Sequence, residues 1–158
     1  MKYSFIVMLF FLNAAFAEIS CPSGERLVAE CALPSKKLEK KALICYKTTQ
    51  PISLTYYFKR GQNVELEVKF NELNKLKRWL DKGTYTRYLG FSRGSYAYVI
   101  GVPEEKPGAV AFIDIKKDKS LLSSTDCLAN SFGDKDVEHP YIENIQDEIV
   151  RANNFEFP

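Results

Sequence analysis

The chain has 158 residues, with 22 basic side chains, 20 acidic ones and a single histidine, so it carries almost no net charge. Nothing in that balance calls for nucleic acid, whose backbone demands a concentrated basic face. The length suits one domain burying roughly two thirds of its extended surface, and no repeat or low-complexity linker divides it.

Lys2 supplies one positive charge, Phe5 to Leu12 is an unbroken apolar run, and Ala15-Phe16-Ala17 places small residues where a signal peptidase reads. Residues 1–17 are therefore expected to be a cleaved export signal, with Glu18 first in the mature chain. The apolar run is too short for a membrane span, which takes about 18 or more such residues. Cys21 lies too far downstream to be a lipidated first residue. All four cysteines, Cys21, Cys31, Cys45 and Cys127, follow the signal, and an even count in an exported chain argues for two disulfides in an oxidising compartment. Zinc fits poorly, because no C-x-x-C occurs and His139 is far from three of the cysteines in sequence. Neither a metal nor another cofactor is expected.

Strands are sought by folding neighbouring runs onto each other, since opposed residues in an antiparallel pair share a face. Residues 26–48 fold about Leu38, which sets Leu33 opposite Leu43 and Cys31 opposite Cys45. Three disulfide pairings are possible and the sequence does not choose among them. The cross-strand geometry favours Cys31–Cys45, leaving Cys21–Cys127. Residues 53–70 fold about Gly61 and place Leu54, Tyr56 and Phe58 with Val64, Leu66 and Val68 on one side, the cleanest period of two in the chain.

Residues 71–83 put Leu73, Leu76 and Leu80 at helical spacing and read as a short helix or loop, with Trp79 as a packing residue. Folding the next run about Arg93-Gly94 sets Phe91 opposite Tyr96, Leu89 opposite Tyr98 and Arg87 opposite Ile100 on one aromatic face, with a small or polar face behind it. Tyr98 should be buried and Ser92 exposed. Residues 108–117 and 120–127 form a last pair turning at the charged "KKDK" of 116–119. Residues 139–154 read as an amphipathic helix with Pro140 in its first turn, Ile142, Ile145 and Ile149 on one face, and a loose end at "FEFP".

The sum is an all-β chain: about eight antiparallel strands in successive hairpins, a small barrel or a sandwich, with a short C-terminal helix. Residues 18–130 form the disulfide-linked domain and 131–158 an acidic tail. The basic runs at 36–41 and 75–79 and the acidic run at 134–148 read as solvated faces.

Little here is catalytic. His139 reads as a surface residue, no nucleophile turn accompanies a serine, and the cysteines are expected oxidised. Asp114 and Asp126 on adjacent strands could pair as carboxylates, but a chain this short lacks an evident cleft. Phosphate and calcium loops are absent. The expectation is a binding protein rather than an enzyme. Its candidate partner site is the turn Ser92, Arg93, Gly94, Ser95 and Tyr96, because a two-residue hairpin turn prefers Asn-Gly or Asp-Gly and Arg is ill suited to positive φ.

The export signal, "KKALICYK", "LTYYF" with "VELEV", "GFSRGSYAYVIGV", "GAVAFID" and the closing "STDC" together resemble small periplasmic disulfide-linked β proteins of Gram-negative bacteria, over about residues 21–130. The compact disulfide-linked build and the Gly94-Ser95-Tyr96 hairpin are similar to bacterial inhibitors of lysozyme, in which a short Ser-Gly loop followed by Tyr enters the enzyme cleft. This chain departs from them in its Arg-Gly-Ser-Tyr order and its acidic tail. The resemblance implies a periplasmic module whose protein partner is a cell-wall hydrolase, with the acidic tail complementing a basic enzyme. An envelope interaction protein without an enzyme target, or a small-ligand carrier using a barrel mouth, are the alternatives.

Overall fold

The computed structural model describes residues 20–103, 108–128 and 133–158. The expected signal at 1–17 lies outside the described residues. Ten strands and one helix follow in chain order: β1 Arg26–Leu33, β2 Lys40–Lys47, β3 Ser53–Arg60, β4 Asn63–Lys69, β5 Leu76–Asp81, β6 Thr86–Arg93, β7 Tyr96–Val102, β8 Phe112–Lys117, β9 Ser120–Asp126, β10 Ile142–Ile145 and α1 Asp147–Ala152. They form a sandwich of two sheets, ordered β1-β2-β3-β4 and β10-β5-β6-β7-β8-β9. All neighbours are antiparallel except β10 and β5, which run parallel.

Alternation builds the core. Val28, Ile44, Tyr46, Leu54 and Tyr56 of the first sheet pack against Leu76, Leu89, Phe91, Ile100 and Ile113 of the second. Tyr56 and Phe91 bring their ring centroids to 4.8 Å, and Phe70 meets Phe91 edge-on at 5.4 Å. Each such fully buried side chain stabilises the fold by about 1.5–3 kcal/mol.

The second sheet is covered on its outer face as well. Trp79, Val99, Val150 and Phe157 are buried together, with Tyr88 and Ile145 against them, so α1 and the following residues close that side. Residues 76–81 consequently form a strand, and not the expected helix or loop. Both of its faces are covered, with Leu76, Arg78, Trp79 and Asp81 all buried, and a two-sided strand shows no alternation in sequence. Leu73, which gave the run its helical spacing, is 99% exposed in the preceding turn.

The expected helix over 139–154 divides for a similar reason. Ile142–Ile145 pairs with β5, and the helix begins only at Asp147. The "FEFP" end is not loose, because Phe157 is buried against Trp79 and Tyr88. The small face expected behind the aromatic hairpin is a row of sockets. A methyl group on Gly101 would come within 2.2 Å of the Phe112 ring, and one on Gly90 within 3.0 Å of Phe157.

The disulfides are Cys21–Cys45 and Cys31–Cys127, which corrects the expected Cys31–Cys45 and Cys21–Cys127 pairing. The cause is register. Cys31 stands opposite Ala42 and not Cys45, an odd shift of three residues from the expected alignment, and Leu27 comes to oppose Cys45 only beyond an irregularity between Leu27 and Ala29. An odd shift exchanges faces. Cys31 thus joins the core between the sheets, and Cys45 joins an outer cluster with Leu43, Tyr57 and Cys21. The Cys31–Cys127 bond ties β1 to the residue after β9, where the Leu128 N–H also donates to the Ala32 carbonyl at 2.7 Å.

The charge runs are not simply solvated. Arg78 is 3% exposed and donates to Asn144 Oδ1, the carbonyls of Lys135 and Val137, and Glu138 Oε1. Arg87 pairs with Asp136, Arg26 with Asp134, Lys82 with Glu148 and Arg151 with Asp147. The acidic segment is largely neutralised by the protein's own cations.

Candidate functional site

In the β6–β7 hairpin Phe91 stands opposite Tyr98, Leu89 opposite Ile100 and Arg93 opposite Tyr96. The pairing is displaced by two residues from the expected one, an even shift that leaves every side chain on its expected face. Tyr98 is half-buried, stacked on Phe91 at 5.2 Å, and Ser92 is exposed.

The displacement changes the reading of the tip. The turn residues are Gly94 and Ser95, with Gly94 at φ +60°, and a type II′ turn wants glycine at that first central position. Arg93 is the last residue of the strand, so the turn holds no residue ill suited to positive φ and the expected misfit of Arg is not there. Arg93 is exposed, and its guanidinium forms no hydrogen bond or ion pair with the described residues. Across from it Tyr96 is 36% exposed, and the Lys117 ammonium lies 5.7 Å from the Tyr96 ring centroid. Arg93, Tyr96 and Lys117 therefore share one face of three adjacent strand positions, cation beside aromatic beside cation.

The tip is held from behind. The Asp118 N–H donates to the Ser95 carbonyl at 2.9 Å, joining it to the β8–β9 turn, where Asp118 and Lys119 both take positive φ. Around the tip, Ser92, Ser95, Tyr96, Lys116, Asn154 and Phe155 contribute to a groove of about 550 Å³. Of the five expected site residues, Ser92, Gly94, Ser95 and Tyr96 line this groove, and Arg93 stands beside it. The sequence reading missed Lys116, Lys117 and Lys119. Their "KKDK" turn is visible in sequence, but its place beside 92–96 is a tertiary fact.

The other candidates separate. Asp114 stands opposite Ser124, and Asp126 opposite Phe112, so the two carboxylates do not face each other across the strands. His139 is buried, not on the surface. Its Nδ1 accepts the Tyr141 N–H at 3.2 Å, which leaves the proton on a buried Nε2 that has the carbonyls of Lys47 and Ser53 nearby but no well-aligned hydrogen bond among the described residues. Burial pushes its pKa below the usual 6.5, opposed by the carbonyls of Lys47 and Ser53. The unfolded chain therefore takes up this proton first, and stability from His139 is lost as pH falls from about 6.5 through the lowered folded value. Melting curves between pH 7 and 5 should show a loss in the native protein that His139→Gln reduces; equal slopes in both would refute it.

Among the described residues no group of three or more His, Cys, Asp or Glu could hold a metal ion. None of their helices is long and apolar enough to cross a membrane. The two disulfides fit an oxidising environment. Fold and site together define a small β-sandwich, cross-linked between its sheets, that presents a cationic aromatic hairpin. No protein-family model matches the chain, and neither do the curated proteins or the solved structures compared with it.

Proposed function

We propose that this is a periplasmic protein-binding module whose 92–96 hairpin occludes the cleft of a cell-wall hydrolase such as lysozyme. The observation that carries the reading is Arg93, an exposed guanidinium without a partner among the described residues, set beside Tyr96 on an anchored hairpin. Glycoside hydrolases place two carboxyl groups in their cleft. A fork of guanidinium donors is suited to meet carboxylates, and a preformed tip loses little freedom on insertion. The electrostatic complement is then the basic tip facing an acidic cleft, since the acidic segment is already neutralised from within.

The test is a titration of the mature protein into peptidoglycan hydrolysis by lysozyme and other muramidases. Inhibition at near-stoichiometric amounts is expected. Arg93→Ala should weaken it about 30-fold, the effect of about 2 kcal/mol at an interface anchor, with an unchanged melting temperature. Undiminished hydrolysis at large excess would refute the reading.

A further inference from the structure

Residues 153–155 turn the chain back from α1, with the Phe155 N–H donating to the Val150 carbonyl at 2.9 Å, and residues 156–158 then seat on the outer face of the six-stranded sheet through side chains rather than a backbone ladder. Phe157 is 4% exposed, with its ring 5.7 Å from Trp79 and 6.4 Å from Tyr88, in the space that Gly90 leaves by having no side chain. Lys116 donates to the Phe157 carbonyl, and Lys119 pairs with Glu156 at 2.8 Å. The segment thus meets the sheet through an aromatic anchor, a carboxylate on a lysine and a backbone carbonyl on another lysine.

The fit is incomplete. Phe155 and Phe157 line both the groove of about 550 Å³ and a second cavity of about 200 Å³ that reaches Trp79, Tyr88, Val99 and Asp114. Under the segment, Asp114 Oδ1 is buried with no hydrogen-bond partner. Asn154 and Phe155 both sit at positive φ, 54° and 60°, a costly conformation for a bulky side chain. A displaced segment would relax this backbone, join the two spaces into one channel and open the carboxylate to solvent.

We propose that this face is a peptide-binding groove occupied in the isolated protein by the chain's own residues 153–158, and that it takes a partner segment carrying an aromatic–acidic–aromatic triplet. The occupant chemistry is read from the seated segment and from the charge complement of Lys116 and Lys119. The inference shares the groove behind the hairpin tip with the hydrolase reading but does not rest on it, since it uses the outer face of the sheet and not the Arg93 side chain. Being tethered, the resident segment competes at a high effective concentration, so a free peptide binds well only where that segment is weakened.

Trp79 is the chain's one tryptophan, and its indole N–H, which donates to Asp147, gives a single resonance at the socket. The probe is the free peptide Asn-Asn-Phe-Glu-Phe-Pro, added to the full chain and to two variants. Phe157→Ala removes the anchor, and Glu156→Lys sets like charges against each other at an exposed position without touching the socket. Both variants should show a saturable shift of the indole resonance, with affinity at least about five-fold above that of the unaltered chain. A peptide with both phenylalanines replaced by alanine should leave the resonance in place. Should Phe157→Ala fail to fold, Glu156→Lys decides. An indole resonance that stays still in folded Glu156→Lys up to several millimolar peptide, or that moves equally with the alanine peptide, overturns the proposal.

Discussion

Replacing Cys31 and Cys127 together by alanine should lower the stability of the protein by about 4.7 kcal/mol, against about 3.5 kcal/mol for the Cys21 and Cys45 pair. The difference follows from the separations in sequence, 96 residues for Cys31–Cys127 and 24 for Cys21–Cys45, because a longer closed loop restricts the unfolded chain more. Position acts in the same direction. Cys31–Cys127 is buried in the core between the sheets and joins one to the other, whereas Cys21–Cys45 lies in the smaller outer cluster. Denaturant titrations of the two double variants check the order. A larger loss on removing Cys21–Cys45 would show that loop length does not govern these bonds.

The second large effect is expected at Arg78. Its guanidinium is buried and serves Asn144, Glu138 and two backbone carbonyls at once, binding β5 to β10 and to the segment before it. Arg78→Ala leaves a cavity and removes four hydrogen bonds of a buried guanidinium, at a cost of about 2–3 kcal/mol, since the exposed Glu138 and Asn144 are taken up by water. Arg78→Lys should recover less than half of this, since an ammonium cannot reproduce the planar fork that reaches acceptors on several sides. Urea denaturation measures both. A loss under about 1 kcal/mol for Arg78→Ala would mean that solvent replaces the guanidinium without penalty.

The contrast between these residues shows what the sequence could reveal. Where one face of a strand meets the core and the other meets water, alternation is visible, and β3, β4, β6 and β7 were all read from it. The hairpin registers came out two residues away, an error that alternation cannot detect because it preserves the faces. In β1 and β2 the error was odd, and it carried the disulfide pairing with it. Trp79 is the packing residue expected of it, but the strand that carries it and the burial of Arg78 were hidden for another reason. A strand covered on both sides has no polar face to mark it, and the segments that cover it arrive from more than fifty positions later in the chain, as the Arg78 to Asn144 bond does with its separation of 66. The hairpin tip was legible as a position, since its residues are local. The lysines beside it were not, because their proximity depends on how β7 and β8 pair.

The two disulfides also divide the molecule into parts of unequal permanence. Their loops overlap in sequence, 21–45 and 31–127, and between them enclose β1 through β9 in covalent rings. β10, α1 and residues 153–158 stand outside both rings, attached by packing, hydrogen bonds and ion pairs alone. Segments held in this way can open without disturbing the rest. β10 is bound more firmly, because Ile142 belongs to the core between the sheets, but α1 and residues 153–158 can peel away together while the cross-linked sandwich stays closed, so that the protein can pass through a state with Trp79 bare to solvent and its core still dry.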